Sequence, residues 1–351
     1  MTTFFPGPSQ VHPELNGYLQ DAFSEGILSI SHRSETFNQL SEETLKLLHF
    51  KLAIPESYTI LYTSSATECW EIIAQSLTKN QSAHFSSGSF GDKWFQYAQS
   101  IHTGSHLVHL PPNQELMADY LDVQINDDLI CLTQNETSNG TQIGLDALSA
   151  VRGAYPYTLI ALDCTSSMAG INLPFMLGDI WFASVQKCFG LPAGLGLLIL
   201  SPDAVKRAKE INDRKYFNSA LTLLDHIEKF QTSCTPNVLG IYLLKRVLEK
   251  STRIEDTDLK TRNRMNNYLS ALKGGNLATL ISNNKVQSAT VLAVKGDPDY
   301  IAGIKSEAKA EGMLLGSGYG KWKTDTFRIA NFPAYTEPQV EKLIRFIERI
   351  A

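Results

Sequence analysis

Two residues stand out by type and spacing. Asp163 closes the apolar run Thr158-Leu-Ile-Ala-Leu162, and Lys187, in the pair Gln186-Lys187, follows a second apolar run over 180–184. If both runs are strands of a parallel sheet, their carboxyl ends open on the same edge, where α/β folds bind ligands. A lysine amine and a carboxylate on that edge can share one ring-shaped cofactor. The amine can hold pyridoxal phosphate as a Schiff base, while the carboxylate keeps the pyridine nitrogen protonated so that the ring acts as an electron sink. A strand-end aspartate and an unrelated surface lysine give the same pattern, so further residues have to decide.

Three segments bear on that choice. The turn Thr63-Ser-Ser-Ala-Thr67 lies between an apolar run and a helical repeat. Its free N–H groups and the positive helix end suit a phosphate, although an ordinary helix cap has the same composition. Gly88-Ser-Phe90-Gly91 sets an aromatic in a glycine-rich turn, where its face can stack on a planar ring or simply join the core. Gln186 and Thr235, the latter in Ser-Cys-Thr-Pro, are neutral donors suited to phosphate oxygens. Competing motifs fail. No G-x-G-x-x-G follows the first strand, and Gly316-Ser-Gly-Tyr-Gly-Lys321 has Leu315 and Trp322 where a P-loop needs glycine and a hydroxyl. The eight histidines lack metal-ligand spacing, so no metal is expected.

The elements that must position these residues follow from hydrophobic periodicity. An apolar run at 58–62, a polar Thr-Ser-Ser and a 3.6-periodic stretch over 67–77 read as strand, cap and helix. Further strands are expected at 129–133, 157–162, 180–184 and 195–201, with helices near 144–152 and 202–211. Strands separated by helical patterns predict a mostly parallel sheet between helices, because parallel strands need crossovers and are buried on both faces. A helix over 237–250 leads into the charged stretch 250–258, read as a hinge. Beyond it the pattern predicts a helix near 258–272, a strand at 289–294, a helix near 298–311, a strand at 327–330 and an amphipathic helix from Thr336. The expected division is a large cofactor-binding α/β domain, 16–252, and a smaller C-terminal α+β domain, 253–351. The N-terminal tenth, rich in Pro, Gly and Ser, reads as an irregular arm whose residues 1–15 pack with the small domain.

Composition narrows the function classes. With 351 residues, about 75% of the unfolded chain's surface can be buried without a disulfide or metal staple. A net charge of -5 leaves no basic excess for nucleic acid. No apolar run approaches the length of a membrane span, and the opening MTTFFPGPSQ lacks the layout of a secretory signal. Five dispersed cysteines without a CxxC pair fit reduced thiols, so a cytoplasmic protein is expected.

These motifs in this order resemble the class V aminotransferases of fold-type I, and among them the phosphoserine aminotransferases. The resemblance rests on Phe5-Pro-Gly-Pro8, Ser31-His-Arg-Ser34, Asn135-Glu-Thr137, Asp163-Cys-Thr-Ser166, Gln186-Lys187 with Gly190-Leu-Pro-Ala-Gly-Leu195, Cys234-Thr-Pro236 and Phe327-Arg-Ile-Ala-Asn331. It implies Lys187 as the Schiff-base lysine and Asp163 as partner of the pyridine nitrogen. Phe90 takes the place of the stacking aromatic, usually Trp in the family, with Trp94 a weaker candidate. Ala66 and Thr67 match the phosphate-binding turn, where phosphoserine enzymes often carry Gly-Arg. Thr137 approaches the ring hydroxyl, Gln186 the phosphate, and Thr235 the phosphate of a partner subunit's cofactor, while Cys234 replaces a common Asn. Arg328 matches the arginine for the substrate α-carboxylate, and His32 with Arg33 the residues for the distal phosphate or carboxylate. A second His-Arg pair before Arg328 is missing, which leaves Lys321 or Lys323 to supply that charge.

The implied activity is phosphoserine:2-oxoglutarate transamination in serine biosynthesis, by a homodimer with shared active sites. Transamination of a small amino acid, alanine or serine, with glyoxylate or pyruvate is the alternative, which the 63–67 turn and the missing second arginine favour. A cysteine desulfurase is disfavoured, since the last cysteine is Cys234. A non-catalytic α/β binding protein has no use for the lysine.

Overall fold

The computed structural model describes residues 1–351, the side chain of Tyr120 excepted. In chain order the strands are β1 (Thr2–Phe4), β2 (Thr59–Thr63), β3 (Gln81–Ser86), β4 (His106–His109), β5 (Asp127–Thr133), β6 (Asn135–Glu136), β7 (Thr141–Gln142), β8 (Leu159–Asp163), β9 (Ile180–Ser184), β10 (Gly196–Leu200), β11 (Ala278–Thr279), β12 (Val291–Lys295), β13 (Met313–Ser317) and β14 (Thr326–Ala330). Seven of them form one sheet in the order β2-β10-β9-β8-β5-β3-β4. From β9 to β4 every pair is parallel, and β10 alone runs against both of its neighbours. Burial is near-continuous along β8, β9 and β10, as strands covered on both faces by helices require. The architecture is mixed α/β, with the mostly parallel sheet that the sequence pattern predicts.

The pairing registers put the chemistry at one edge. Asp163 is the last residue of β8 and lies opposite Phe182, and Ser184, the last residue of β9, pairs with Gly196 at the start of β10. Gly196 also pairs with Thr63, the last residue of β2. The ends of β2, β8 and β9 therefore gather where the helix Ala66–Ser76 begins.

A second sheet has the order β1-β13-β14-β12-β11 and its own apolar core, built from Phe4, Tyr268, Val291, Phe327, Phe332 and Phe346 among others. Its first strand comes from the other end of the chain. β1 pairs in parallel with β13, and Phe4 is fully buried and stacked on Tyr335 at 4.7 Å.

Three expectations change. The N-terminal tenth is not irregular throughout, since it holds β1 and the helix Leu15–Ser24, which buries Leu15, Tyr18 and Ala22 at helical spacing. The stretch 250–258 is not a hinge over its length, because the helix Ile254–Ala271 starts inside it. Its charges form a solvated helical face: Glu255 and Asp256 sit in the first turn, where they suit the helix dipole, and Asp258 pairs with Arg262 at 2.8 Å. Gly88-Ser-Phe90-Gly91 is the N-terminal turn of the helix Ser89–Ile101 rather than a loop.

Asn331, just after β14, is fully buried, and its amide donates to the carbonyls of Thr261 and Ala289 at 2.8 Å each. Replacing it with alanine takes a donor away from each of two buried carbonyls. Asn331→Ala is expected to destabilise the protein by about 2–4 kcal/mol, read as a lower urea midpoint.

Candidate active site

Lys187 follows β9 and is buried, with its amine donating to the backbone carbonyl of Pro6. The N-terminal arm thus lies across the lysine: Ser9 N–H donates to the Gln186 carbonyl at 3.2 Å and His12 N–H to that of Gly190 at 2.9 Å. Gly7 stands where a side chain has no room, since a Cβ there would come within 1.9 Å of Lys187 Nζ, and its φ of 146° favours glycine as well. Burial, with the charge of Arg328 adding to it, lowers the amine's pKa to about 8.

Asp163 is buried at the end of β8, accepting from Thr165 N–H at 2.9 Å and from Trp70 Nε1 at 3.4 Å. Burial pushes its carboxyl above the usual range, while those two donors and Lys187 pull the other way. A cavity of about 220 Å³ lies between these groups. It brings together Asp163 and Lys187 with Ala66, Thr67, Phe90, Thr137 and Gln186, so seven of the residues singled out in the sequence share one space.

The cavity has the donors and acceptors that a phosphorylated pyridine needs. Thr133 Oγ1, Thr165 Oγ1 and Gln186 Oε1 are buried in its wall with no partner among the described residues, and such orphaned polar atoms are unfavourable unless a polar guest meets them. At the start of the helix Ala66–Ser76, Ser65 caps Glu68 N–H, and Ala66 N–H already donates to Ser184 Oγ at 2.6 Å. Thr67 N–H is left without a side-chain acceptor among the described residues and points from a helix N-terminus, the usual seat of a phosphate. Phe90 is half-buried in the first turn of its helix, with its ring 5.4 Å from that of Tyr319. Trp94 is excluded from the site: it is 1% exposed and packs edge-on against His84 and Phe182 in the core.

Arg328, on β14, does not line the cavity itself but is fastened to its wall at Thr137. Its Nη1 donates to the Thr137 carbonyl at 2.6 Å, its Nε to that of Ser317 at 2.8 Å, and it lies 5.4 Å from the Tyr319 ring centre. Burial lowers its pKa to about 10, far enough from neutrality to keep the guanidinium charged.

Other expected residues lie elsewhere in this chain. His32 and Arg33 are outside the cavity, Arg33 donating to Gln231 at 2.9 Å. Gln231 and Thr235 line a separate cavity of about 310 Å³ with Ser64, Glu68 and Cys234. Lys321 does not enter the Lys187 cavity either. It stacks on its neighbour Trp322 and lines a third space with Asp92 and His109. The cation beside Phe90 is instead Lys93, which sequence reading missed: its Nζ is 2.7 Å from the Tyr319 hydroxyl and 5.4 Å from the Phe90 ring centre. The three-residue spacing from Phe90 within one helix was the signal available for it. Glu136 was also passed over. No group of metal-ligating side chains occurs among the described residues, and no helix is long and apolar enough to cross a membrane.

Residues 6–302 match the family model described as aminotransferase class-V. The phosphoserine aminotransferase of Corynebacterium glutamicum (strain R) is 26% identical over 356 residues, spanning 98% of this chain and 93% of that protein. A crystal structure of a phosphoserine aminotransferase from Cytophaga hutchinsonii matches with a TM-score of 0.94 at 29% identity, over 99% of this chain and 98% of that one. Alanine–glyoxylate aminotransferase from Nostoc sp. shares the fold, with a TM-score of 0.80 at 17% identity over 99% and 97% of the two chains.

The lowered amine pKa carries a stability signature. Below about pH 8 both the folded and the unfolded chain hold the Lys187 proton, and the folded state bears the full cost of the buried charge. Between pH 8 and the ordinary value of 10.5 only the unfolded chain keeps the proton, so stability rises with pH. Urea unfolding of the cofactor-free protein should show the wild type gaining stability relative to Lys187→Met across that window. Parallel pH profiles for the two would contradict the buried, shifted amine.

Proposed function

This chain belongs to the class-V aminotransferases, and we propose that it transfers the amino group of glutamate to 3-phosphohydroxypyruvate, giving phosphoserine and 2-oxoglutarate. It is a pyridoxal-phosphate-dependent transaminase. The observation that carries the mechanistic reading is the buried Lys187 amine, which shares a cavity with Asp163 and feels the charge of Arg328.

When bound, pyridoxal phosphate supplies the electron sink that makes the substrate α-proton labile. In our reading Lys187 would hold the cofactor through its amine, and the same Nζ, when free, would take the proton from the substrate α-carbon. A pKa of about 8 suits that task, because a useful fraction of the amine is free base near neutrality while the ammonium form can still give the proton back. Asp163, oriented by Trp70 and Thr165, stands as the negative partner of the pyridine nitrogen. Thr67 and Gln186 would hold the phosphate, Thr137 would meet the ring hydroxyl and Phe90 would stack on the ring, since all four line the cavity. Arg328, with two of its nitrogens fixed on carbonyls, presents the rest of its guanidinium to the α-carboxylate.

The phosphoserine assignment is supported by the phosphoserine aminotransferases named above. His32, Arg33 and Thr235 lie away from the chain's own cavity, which favours a homodimer in which each subunit lends them to the other's site. The unit 16–252 then supplies the cofactor site and 253–351 the α-carboxylate arginine, with the arm 1–15 joined to the latter. A cytoplasmic enzyme of serine biosynthesis is the corresponding physiological reading. The second reading is a transaminase of alanine or serine with glyoxylate or pyruvate, favoured by the absence of any arginine in the 63–67 turn and of Lys321 from the cavity.

Visible absorption of the cofactor-loaded protein separates the two. Bleaching by O-phospho-L-serine at far lower concentration than by L-alanine or L-serine is expected, and the reverse order rejects the phosphoserine assignment. Lys187→Ala should abolish turnover, and Asp163→Ala should retain cofactor but slow by orders of magnitude. If sites are shared, mixing inactive Lys187→Ala with inactive Arg33→Ala subunits should restore about a quarter of wild-type activity, from the one intact site in each mixed dimer. No recovery after confirmed exchange of subunits rejects the lending of Arg33.

A further inference from the structure

Glu136, on β6, is a fully buried carboxylate for which the reaction assigns no task. It forms no ion pair among the described residues, and backbone N–H groups hold it instead. Oε2 accepts from Phe90 N–H at 2.9 Å and from Gly91 N–H at 3.2 Å, and Oε1 accepts from Ser138 N–H at 2.9 Å. The helix Ser89–Ile101 therefore takes its N-terminal cap from another element, since its own cap position, Gly88, has no side chain. Gly88 has to be small, because a Cβ there would lie 2.5 Å from Glu136 Cγ.

A local Ser or Asp at position 88 would cap the helix without burying a charge, which costs several kcal/mol in general. The arrangement gains something a local cap cannot provide. Phe90, whose N–H the carboxylate holds, and Thr137, which follows Glu136 just after β6, both line the Lys187 cavity, and the Thr137 carbonyl also fixes Arg328. One side chain thus ties together two walls of the cavity and the base of the arginine. It is also close enough for its charge to favour the protonated forms of Lys187 and Arg328.

We propose that Glu136 is a positioning residue for the cofactor: through the Phe90, Gly91 and Ser138 N–H groups it fixes the Phe90 turn against Thr137 across the cavity. The inference rests on the reading of Phe90 and Thr137 as cofactor contacts. The groups that face the amine are Arg328 on β14, Asp163 on β8, the neighbouring Cys188, the Pro6 carbonyl and Glu136 itself.

The test uses the full-length protein stripped of cofactor and titrated with pyridoxal phosphate. Glu136→Gln keeps the shape but turns an NH2 group toward N–H donors and removes the charge. The dissociation constant should rise about ten- to a hundredfold, the loss expected when hydrogen bonds to a charged group are broken. The pH midpoint of the bound chromophore should fall, because the nitrogen at Lys187 loses a nearby negative charge. A second variant separates positioning from capping. Glu136→Ala with Gly88→Ser restores a local cap, and should recover the thermal midpoint of the cofactor-free protein while leaving the dissociation constant high and the pH midpoint low. Recovery of cofactor affinity in that double variant, or wild-type affinity and pH midpoint in Glu136→Gln, overturns the proposal. Phe90→Leu distinguishes the two layers of the reading. If it weakens cofactor binding and the Glu136 variants do not, the inference alone fails; if none of them does, the cofactor-contact reading fails with it.

Discussion

Keeping the Lys187 amine out of water costs free energy that its polar neighbours adjust in both directions, and three regions of the chain converge to supply those neighbours. The carboxyl edge of the seven-stranded sheet contributes Asp163, the N-terminal arm contributes the Pro6 carbonyl, and β14 brings Arg328. The attractive and repulsive neighbours leave the amine poised rather than locked: Asp163 and Glu136 favour its charge, whereas burial and Arg328 oppose it. Neither sheet holds the amine in this state alone.

The antiparallel strand β10 is the other structural condition of the site. Because it runs against its neighbours, its first residue meets the last residues of β2 and β9, so the helix that starts after β2 begins beside the end of β9. The bond from Ala66 N–H to Ser184 Oγ fixes that approach. Thus the helix end suited to a phosphate and the loop carrying the lysine are set against each other by strand direction, with little demand on flexible side chains.

What sequence reading recovers follows how local each signal is. β8, β9 and β10 are short apolar runs, and they place Asp163 and Lys187 at the sheet edge from spacing alone. The helix Leu15–Ser24 was obscured because Leu19 and Phe23 are exposed and blur its apolar face. Ser34, read within a recognition motif, also caps the helix Glu35–Leu52 through Phe37 N–H, a role that needs only three residues of context. Lys93 and Glu136 were missed for another reason. Their meaning lies in contacts with Tyr319 and with the Phe90 turn, 226 and 46 residues away in the chain. The same holds for Lys321, which is close to Arg328 in sequence but faces a different space because the turn Gly320–Trp322 directs it toward Asp92 and His109.

The pairing of β1 with β13 imposes an order on assembly. During synthesis β1 emerges long before residues 313–317, and has no strand partner until they exist. Until then the arm that carries Pro6 has only its bonds to the Gln186 and Gly190 carbonyls, and the amine's cage lacks the support of the second sheet while the large sheet is already able to form. An unfinished or C-terminally truncated chain thus carries the lysine without the environment that tunes it. Catalytic competence then depends on joining segments far apart in the chain, and the stretch from β1 to His12 serves as the clasp between them.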